Sequence, residues 1–168
     1  RRRLGPALLL AAGLALTGCG GGGDDHHDHE DFQVTALVVD QASGNPYTAM
    51  HTDTHLINPW GIAFNPQGFV WVANAETGSS TLYDGRGIPQ SLVVSIPTPP
   101  DPLDPVGTPT GTVANIDGGA TGGFKVSGVD TKGNPITASA AFLFATEDGT
   151  LVGWNPTVNP KGFDPAKA

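Results

Sequence analysis

The sequence predicts an all-β fold of the β-propeller type, with about two blades present in residues 32–168. Three observations lead there. Helical periodicity is nearly absent outside the first 18 residues, whereas runs of β-branched and aromatic residues recur between Gly, Pro, Asn and Asp turns. Composition agrees, since 24 Gly and 15 Pro among 168 residues suit short strands joined by tight turns. The third observation is an internal repeat. Pro59-Trp60-Gly61-Ile62-Ala63-Phe64-Asn65 reads like Pro109-Thr110-Gly111-Thr112-Val113-Ala114-Asn115, and Phe69-Val70-Trp71-Val72-Ala73 reads like Phe142-Leu143-Phe144-Ala145-Thr146. Each copy continues through a turn into a further strand. Short strands repeating at roughly 40–50 residues mark propeller blades, small twisted sheets that must bury their faces against neighbours.

The chain opens with Arg1-Arg2-Arg3, an apolar run from Leu4 to Leu16, and Thr17-Gly18-Cys19. Basic segment, short apolar segment, small residues and cysteine is the order of a secretory signal ending in a lipobox. The apolar run is shorter than the roughly 18 residues of a spanning helix. Residues 1–18 are read as a lipoprotein signal peptide, and Cys19 as the lipidated first residue of the mature protein. Cys19 is also the only cysteine, so the chain has no second thiol for an internal disulfide.

Residues 19–31 read as a tether. Four glycines are followed by Asp24-Asp25-His26-His27-Asp28-His29-Glu30-Asp31, a flexible and then a solvated, extended stretch. His26, His27 and His29 form a weak candidate site for Zn²⁺, Ni²⁺ or Cu²⁺. A hydrophilic spacer is the favoured reading, because nothing there fixes ligand geometry. The formal charge of −8 becomes −11 once the three leading arginines are removed. So acidic a surface argues against nucleic acid as a partner and against electrostatic adhesion to anionic lipid, which leaves acylation to hold the membrane.

From Phe32 onward the expected strands are Phe32–Asp40, Gly61–Phe64, Phe69–Ala73, Ser80–Tyr83, Ser91–Ile96, Thr112–Ile116, Phe124–Val129, Ala140–Thr146 and Thr150–Trp154. Asn65-Pro66-Gln67-Gly68, Asp84-Gly85 and Asp148-Gly149 supply turns, the last as a hairpin signal. Thr98–Thr110 is Pro-rich and is expected to hold no strand interior, since Pro lacks the ladder N–H. An extra hairpin is expected around Asp130–Pro135 inside the second repeat.

Asn58-Pro59-Trp60-Gly61-Ile62-Ala63 with Phe69-Val70-Trp71-Val72-Ala73-Asn74 resembles an NHL-type blade. The longer pattern, Asn58–Gly87 with Phe142–Pro156, is similar to a family of uncharacterised exported bacterial proteins, some of which end in a PEP-CTERM sorting tail. The resemblance covers about residues 32–159 and implies a propeller and export, with no established reaction. It also implies a longer protein. A first residue that is Arg and a Pro- and Gly-rich last stretch, Asn155–Ala168, point the same way, as do two blades where four to eight are typical. The expectation is an N-terminal part of a larger closed propeller.

Several residues are candidates for chemistry. His51, Asp53 and His55 alternate, and on a strand they would share a face within reach of a metal; a polar connector is the favoured reading. Asn74, Glu76 and Glu147 follow strands, where propeller loops line one end, and are the candidate ligand-binding residues; their oxygens suit a hard cation such as Ca²⁺. Asp148 is better explained as turn chemistry. Trp60, Trp71 and Trp154 read as packing between blades rather than as sugar platforms. No Ser-His-Asp context, G-x-S-x-G, Walker A or paired-Cys motif occurs, so no catalytic residue is assigned.

The expected function is that of an exported lipoprotein of the cell envelope whose propeller binds or scaffolds an unknown surface ligand. Gly20 rather than Asp after Cys19 favours the outer membrane in a Gram-negative host. The alternative is a metal-assisted hydrolase, lactonase or lyase on a gluconolactonase-like propeller, with a divalent cation as its cofactor. An enzyme is the less favoured class, because the blades repeat Pro, Gly, Ala, Asn and aromatics rather than acids, bases and nucleophiles.

Overall fold

The computed structural model describes residues 33–41, 43–65, 68–97, 106–116 and 122–158. Among these the fold is all-β, with several open sheets and no helix. A short parallel pair comes first, β1 (Val38–Val39) with β2 (His51–Thr52). Sheet one is an antiparallel meander of β3 (Pro59–Phe64), β4 (Val70–Asn74), β5 (Ser79–Tyr83) and β6 (Pro89–Ser95), in chain order. Sheet two joins β7 (Pro109–Ala114), β10 (Phe142–Thr146) and β11 (Leu151–Trp154), with β10 in the middle. Between β7 and β10 the chain makes a separate hairpin, β8 (Lys125–Val129) with β9 (Pro135–Ser139).

Local chemistry sets these elements. Pro59, Pro89, Pro109 and Pro135 each open a strand, where a missing N–H removes no interior ladder bond. The sequence placed the starts of β3, β6 and β7 later, at Gly61, Ser91 and Thr112. Asp84 closes the β5–β6 turn by accepting from Arg86 N and Ile88 N, both at 2.9 Å. Asp130 closes the β8–β9 turn in the same way, from Lys132 N at 2.8 Å and Asn134 N at 2.9 Å. Of the expected strand Phe32–Asp40, the described residues 33–40 form a strand only at Val38–Val39, and its partner, His51–Thr52, lies in a segment expected to be loop. The expected strand Ala140–Thr146 begins at Phe142; Ala140 N donates at 2.9 Å to Phe124 O, beside the β8–β9 hairpin, rather than to β7 or β11.

The two sheets are copies of one unit, and their registers correct the repeat by one residue. Pro59 lies opposite Asn74 and Ile62 opposite Val72, with a register shift between; Pro109 lies opposite Thr146 and Gly111 opposite Ala145, again with a shift. Val70–Asn74 therefore corresponds to Phe142–Thr146, not Phe69–Ala73. The turns agree: Ala75 N donates to Asn58 O at 3.1 Å, and Glu147 N donates to Thr108 O at 3.0 Å. Both β-bulges fall at this same end, where bulges commonly re-aim side chains.

Directly opposed residues share a face. On sheet one, Ala63, Trp71 and Leu82 lie on one face, here the front, and Ile62, Val72, Thr81 and Val93 on the back. On sheet two, Val113, Leu143 and Gly153 occupy the equivalent front, and Ala114, Phe142 and Trp154 the back. The core forms where the front of sheet one meets the back of sheet two: Trp71, Leu82, Val94 and Ile96 pack with Phe142 and Phe144. Trp71 stacks on Phe142 at 4.0 Å and 20°, and contacts Trp154 at 5.0 Å. The first strands approach closely as well. A methyl on Gly61 would sit 2.8 Å from both Thr110 O and Thr112 N, so only glycine fits there. No sheet closes on itself, and the described sheets do not by themselves make the closed propeller that the repeat predicts.

Candidate functional site

The equivalent turns of the two sheets lie at one end and enclose a cavity of about 300 Å³ lined by Asn58, Ala75, Glu76, Val106, Thr108 and Glu147. Glu76 comes from the β4–β5 turn and Glu147 from the β10–β11 turn, and both are exposed. The structure thus brings together two of the three residues expected to bind a ligand. The third, Asn74, does not line the cavity. It is fully buried; its Nδ2 donates to Thr81 Oγ1 at 2.9 Å, and its Oδ1 has no partner among the described residues.

The cavity walls are fixed by backbone chemistry. Asn58 sits at φ +51°, a conformation Asn tolerates better than most residues, and its Oδ1 accepts from Trp60 Nε1 at 3.0 Å. Gly78 holds φ +57°; a side chain there would run into Val106 and lie 2.8 Å from Gly107 O. Asp148 Oδ2 accepts from Thr108 N at 3.0 Å and from Thr108 Oγ1 at 2.9 Å. Those bonds, the backbone one foremost, hold its carboxyl below the ordinary 3.8. Asp148 is therefore a staple between the β10–β11 turn and the start of β7. Asn58, Val106 and Thr108 were not expected at the site. The repeat carried the signal for two of them, because Asn58 and Thr108 each precede the proline that opens the copy.

The alternating His51, Asp53 and His55 are not gathered around one point. Asp53 Oδ1 accepts from His55 N and faces His55 Nδ1, both at 3.0 Å, while Oδ2 accepts from Tyr83 OH at 2.9 Å. His51 N instead donates to Leu37 O at 3.0 Å in the β1–β2 pair. Among the described residues, no group of three or more His, Cys, Asp or Glu converges. What forms is a polar circuit. Tyr83 OH meets Thr81 Oγ1 at 2.9 Å, Asn74 Nδ2 reaches Thr81 Oγ1 and Ser79 Oγ, Ser79 Oγ meets Thr77 Oγ1 at 2.8 Å, and Thr77 Oγ1 donates to His55 O at 2.9 Å. With its one phenolic proton committed to the carboxylate, Tyr83 takes its second bond from the Thr81 hydroxyl. Burial first, and then the Asp53 charge, push the Tyr83 pKa far above 10.0. Burial opposes ionisation of Asp53, but bonds from His55 N, Tyr83 and the His55 ring outweigh it and leave its pKa below 3.8.

The three tryptophans divide. Trp71 and Trp154 pack between the sheets, whereas Trp60 is 62% exposed on β3. Cys19 and His26, His27 and His29 lie outside the described residues. Among the described residues no helix is long and apolar enough to cross a membrane.

No protein-family model matches the chain, and no solved structure matches it. It is similar to two proteins of Acanthamoeba polyphaga mimivirus, uncharacterized protein R648, 40% identical over 113 residues, and uncharacterized protein L690, 37% identical over 113 residues. The matched stretch is 67% of this chain but 25% and 26% of those proteins, so the chain spans about a quarter of their length. These viral relatives overturn the resemblance to an exported bacterial family with NHL-like blades, which rested on short, loosely specified strand motifs.

Proposed function

We propose that the two sheets are consecutive blades of a β-propeller that acts as a binding or scaffolding module, exported and held at the cell envelope through lipid on Cys19. The observation that carries the blade reading is the front-to-back packing of two equivalent sheets, the arrangement a propeller repeats around its axis. The binding reading rests on the cavity, whose wall repeats from sheet to sheet through Asn58 and Thr108, with Glu76 and Glu147 open to a ligand. Its acidic rim fits a ligand that is cationic or rich in hydroxyls. Anchoring rests on the sequence from Arg1 to Cys19.

A second reading, a metal-assisted hydrolase on the same scaffold, is favoured by one fact: Glu76 and Glu147 share that cavity. One preparation separates the two. The protein should fractionate with membranes and Cys19→Ser should release it; assayed against lactones and phosphoesters with Ca²⁺, Mn²⁺ or Zn²⁺, it should show no turnover that depends on the cavity. Metal-dependent turnover abolished by Glu76→Gln or Glu147→Gln, with folding intact, would establish the enzyme instead. Retention of Cys19→Ser in the membrane fraction would overturn the anchor.

A further inference from the structure

The two walls of the cavity are held by different means, and the repeat exposes the difference. Asn74 lies opposite Pro59 and Thr146 opposite Pro109, so Glu76 and Asp148 occupy the same place in their turns, two residues further on. Asp148 commits its carboxylate to the wall of its own sheet, where Oδ2 accepts from Thr108 N and Thr108 Oγ1. Glu76 does not repeat that staple. Among the described residues its carboxylate has no hydrogen bond, and it lines the cavity beside Asn58, the counterpart of Thr108. Asn58 therefore needs another support. Its backbone stands at φ +51°, a conformation that persists in a residue other than glycine when the surroundings impose it.

Residues 51–58 supply that support. They run as a strap from β2 into β3, wound tightly where Leu56 N donates to Asp53 O at 3.0 Å and Ile57 N to His55 O at 2.8 Å. Near its start the strap is anchored by Asp53, which accepts from His55 N through Oδ1 and from Tyr83 OH through Oδ2. Its middle is tied to the β4–β5 turn, where Thr77 Oγ1 donates to His55 O. Its end meets the same turn: Ala75 N donates to Asn58 O at 3.1 Å, and Asn58 Oδ1 accepts the indole N–H of Trp60. The turn is joined in its own right to Tyr83, through Thr77, Ser79, Asn74 and Thr81. Strap and turn thus form one closed circuit, with Asp53 and Tyr83 at one end and Asn58 and Glu76 at the other.

We propose that Asp53 and Tyr83 are positioning residues for the cavity. Through the strap they hold Asn58 and the Glu76 turn, the task that Asp148 performs for Thr108, and so leave the Glu76 carboxylate to the ligand. The proposal rests on the binding reading of the cavity given above. Neither Asp53 nor Tyr83 lines the cavity; they act through the bonds that lead to it, and a satisfied polar network stiffens the groups it joins.

Amide hydrogen exchange in the full, isotope-labelled chain tests this. The Ala75 amide reports on the Asn58 wall, and the Glu147 amide, which donates to Thr108 O at 3.0 Å, reports on the other. Asp53→Ala should speed exchange at Ala75 about tenfold relative to Glu147 and move the Trp60 indole N–H signal toward that of a free indole. Tyr83→Phe should do the same to a smaller degree, since it removes one donor to Asp53 and leaves the other. Asp148→Ala should reverse the pattern, speeding Glu147 and leaving Ala75 unchanged. A purely structural role would not divide the amides in this way, because a general loss of stability speeds both by the same factor. Equal acceleration of the two amides in Asp53→Ala would overturn the inference, as would an unchanged Ala75 amide and Trp60 signal. Should Asp53→Ala fail to fold, Asp53→Asn carries the same comparison, with the charge lost and an acceptor kept. No ligand is present in these measurements, so their failure would remove the positioning role alone. The binding reading is judged separately, on whether Ca²⁺ or glucose added to the unmodified chain slows exchange at Ala75 and Glu147.

Discussion

Asp53 carries much of what positions the first sheet. Its two oxygens tie the 51–58 strap to its own turn and to Tyr83, so removing the phenol leaves a half-buried carboxylate oxygen without its donor. Tyr83→Phe should cost about 1–3 kcal/mol of stability, read as a lowered urea midpoint with unchanged slope; an unchanged midpoint would mean the circuit holds nothing. The pH dependence follows from the signs. Asp53 titrates below its ordinary 3.8, so its contribution is full above that value and disappears as pH falls through the lower, folded value. Tyr83 titrates above its ordinary 10.0, so its contribution is full below 10.0 and disappears as pH rises beyond it. In Tyr83→Phe both the acid and the alkaline loss should shrink. The sequence showed the alternation of His51, Asp53 and His55 but not the phenol, 30 residues away, that turns the carboxylate into a strap anchor. That Glu76 and Glu147 line one cavity follows from their places just past β4 and β10, in equivalent turns; Asn74, at the end of β4, is instead buried, since its amide belongs to Thr81.

At the level of strands, the alternation and the turn residues made most elements readable, and the prolines explain the main errors of position. A proline was read as excluding a strand, whereas four of these strands begin on one. The repeat was legible, but its register was not, because the bulges opposite Pro59 and Pro109 leave no mark in the composition. The closest approach between the sheets, at Gly61, gives a sharp test. Gly61→Ala forces a methyl against two backbone atoms at 2.8 Å and should cost about 1–3 kcal/mol. Gly85→Ala, with nothing within 4 Å of the added carbon, is the control and should be close to neutral. Equal midpoints for the two variants would show that β3 and β7 do not touch as described.

For the molecule as a whole, the account is that among the described residues one unit occurs twice and its copies pack front to back. The all-β class was legible because strand alternation and turn residues are local signals. Which sheet face meets which was not, because faces are fixed by register, and a slip of one residue exchanges them. The kinship suggested by NPWGIA-like motifs was not legible either, since those residues answer to sheet packing and turns, needs that unrelated sheets share.

The most direct test of that account is a double-mutant cycle between Trp71 on sheet one and Phe142 on sheet two, whose rings stack at 4.0 Å. Urea unfolding of the Trp71→Leu, Phe142→Leu and double variants gives the coupling. Front-to-back packing predicts an interaction of about 0.5–1.5 kcal/mol beyond the sum of the single changes. Strict additivity, with each single variant still destabilised, would mean that the two faces do not meet and that the sheets are not consecutive units of one stack.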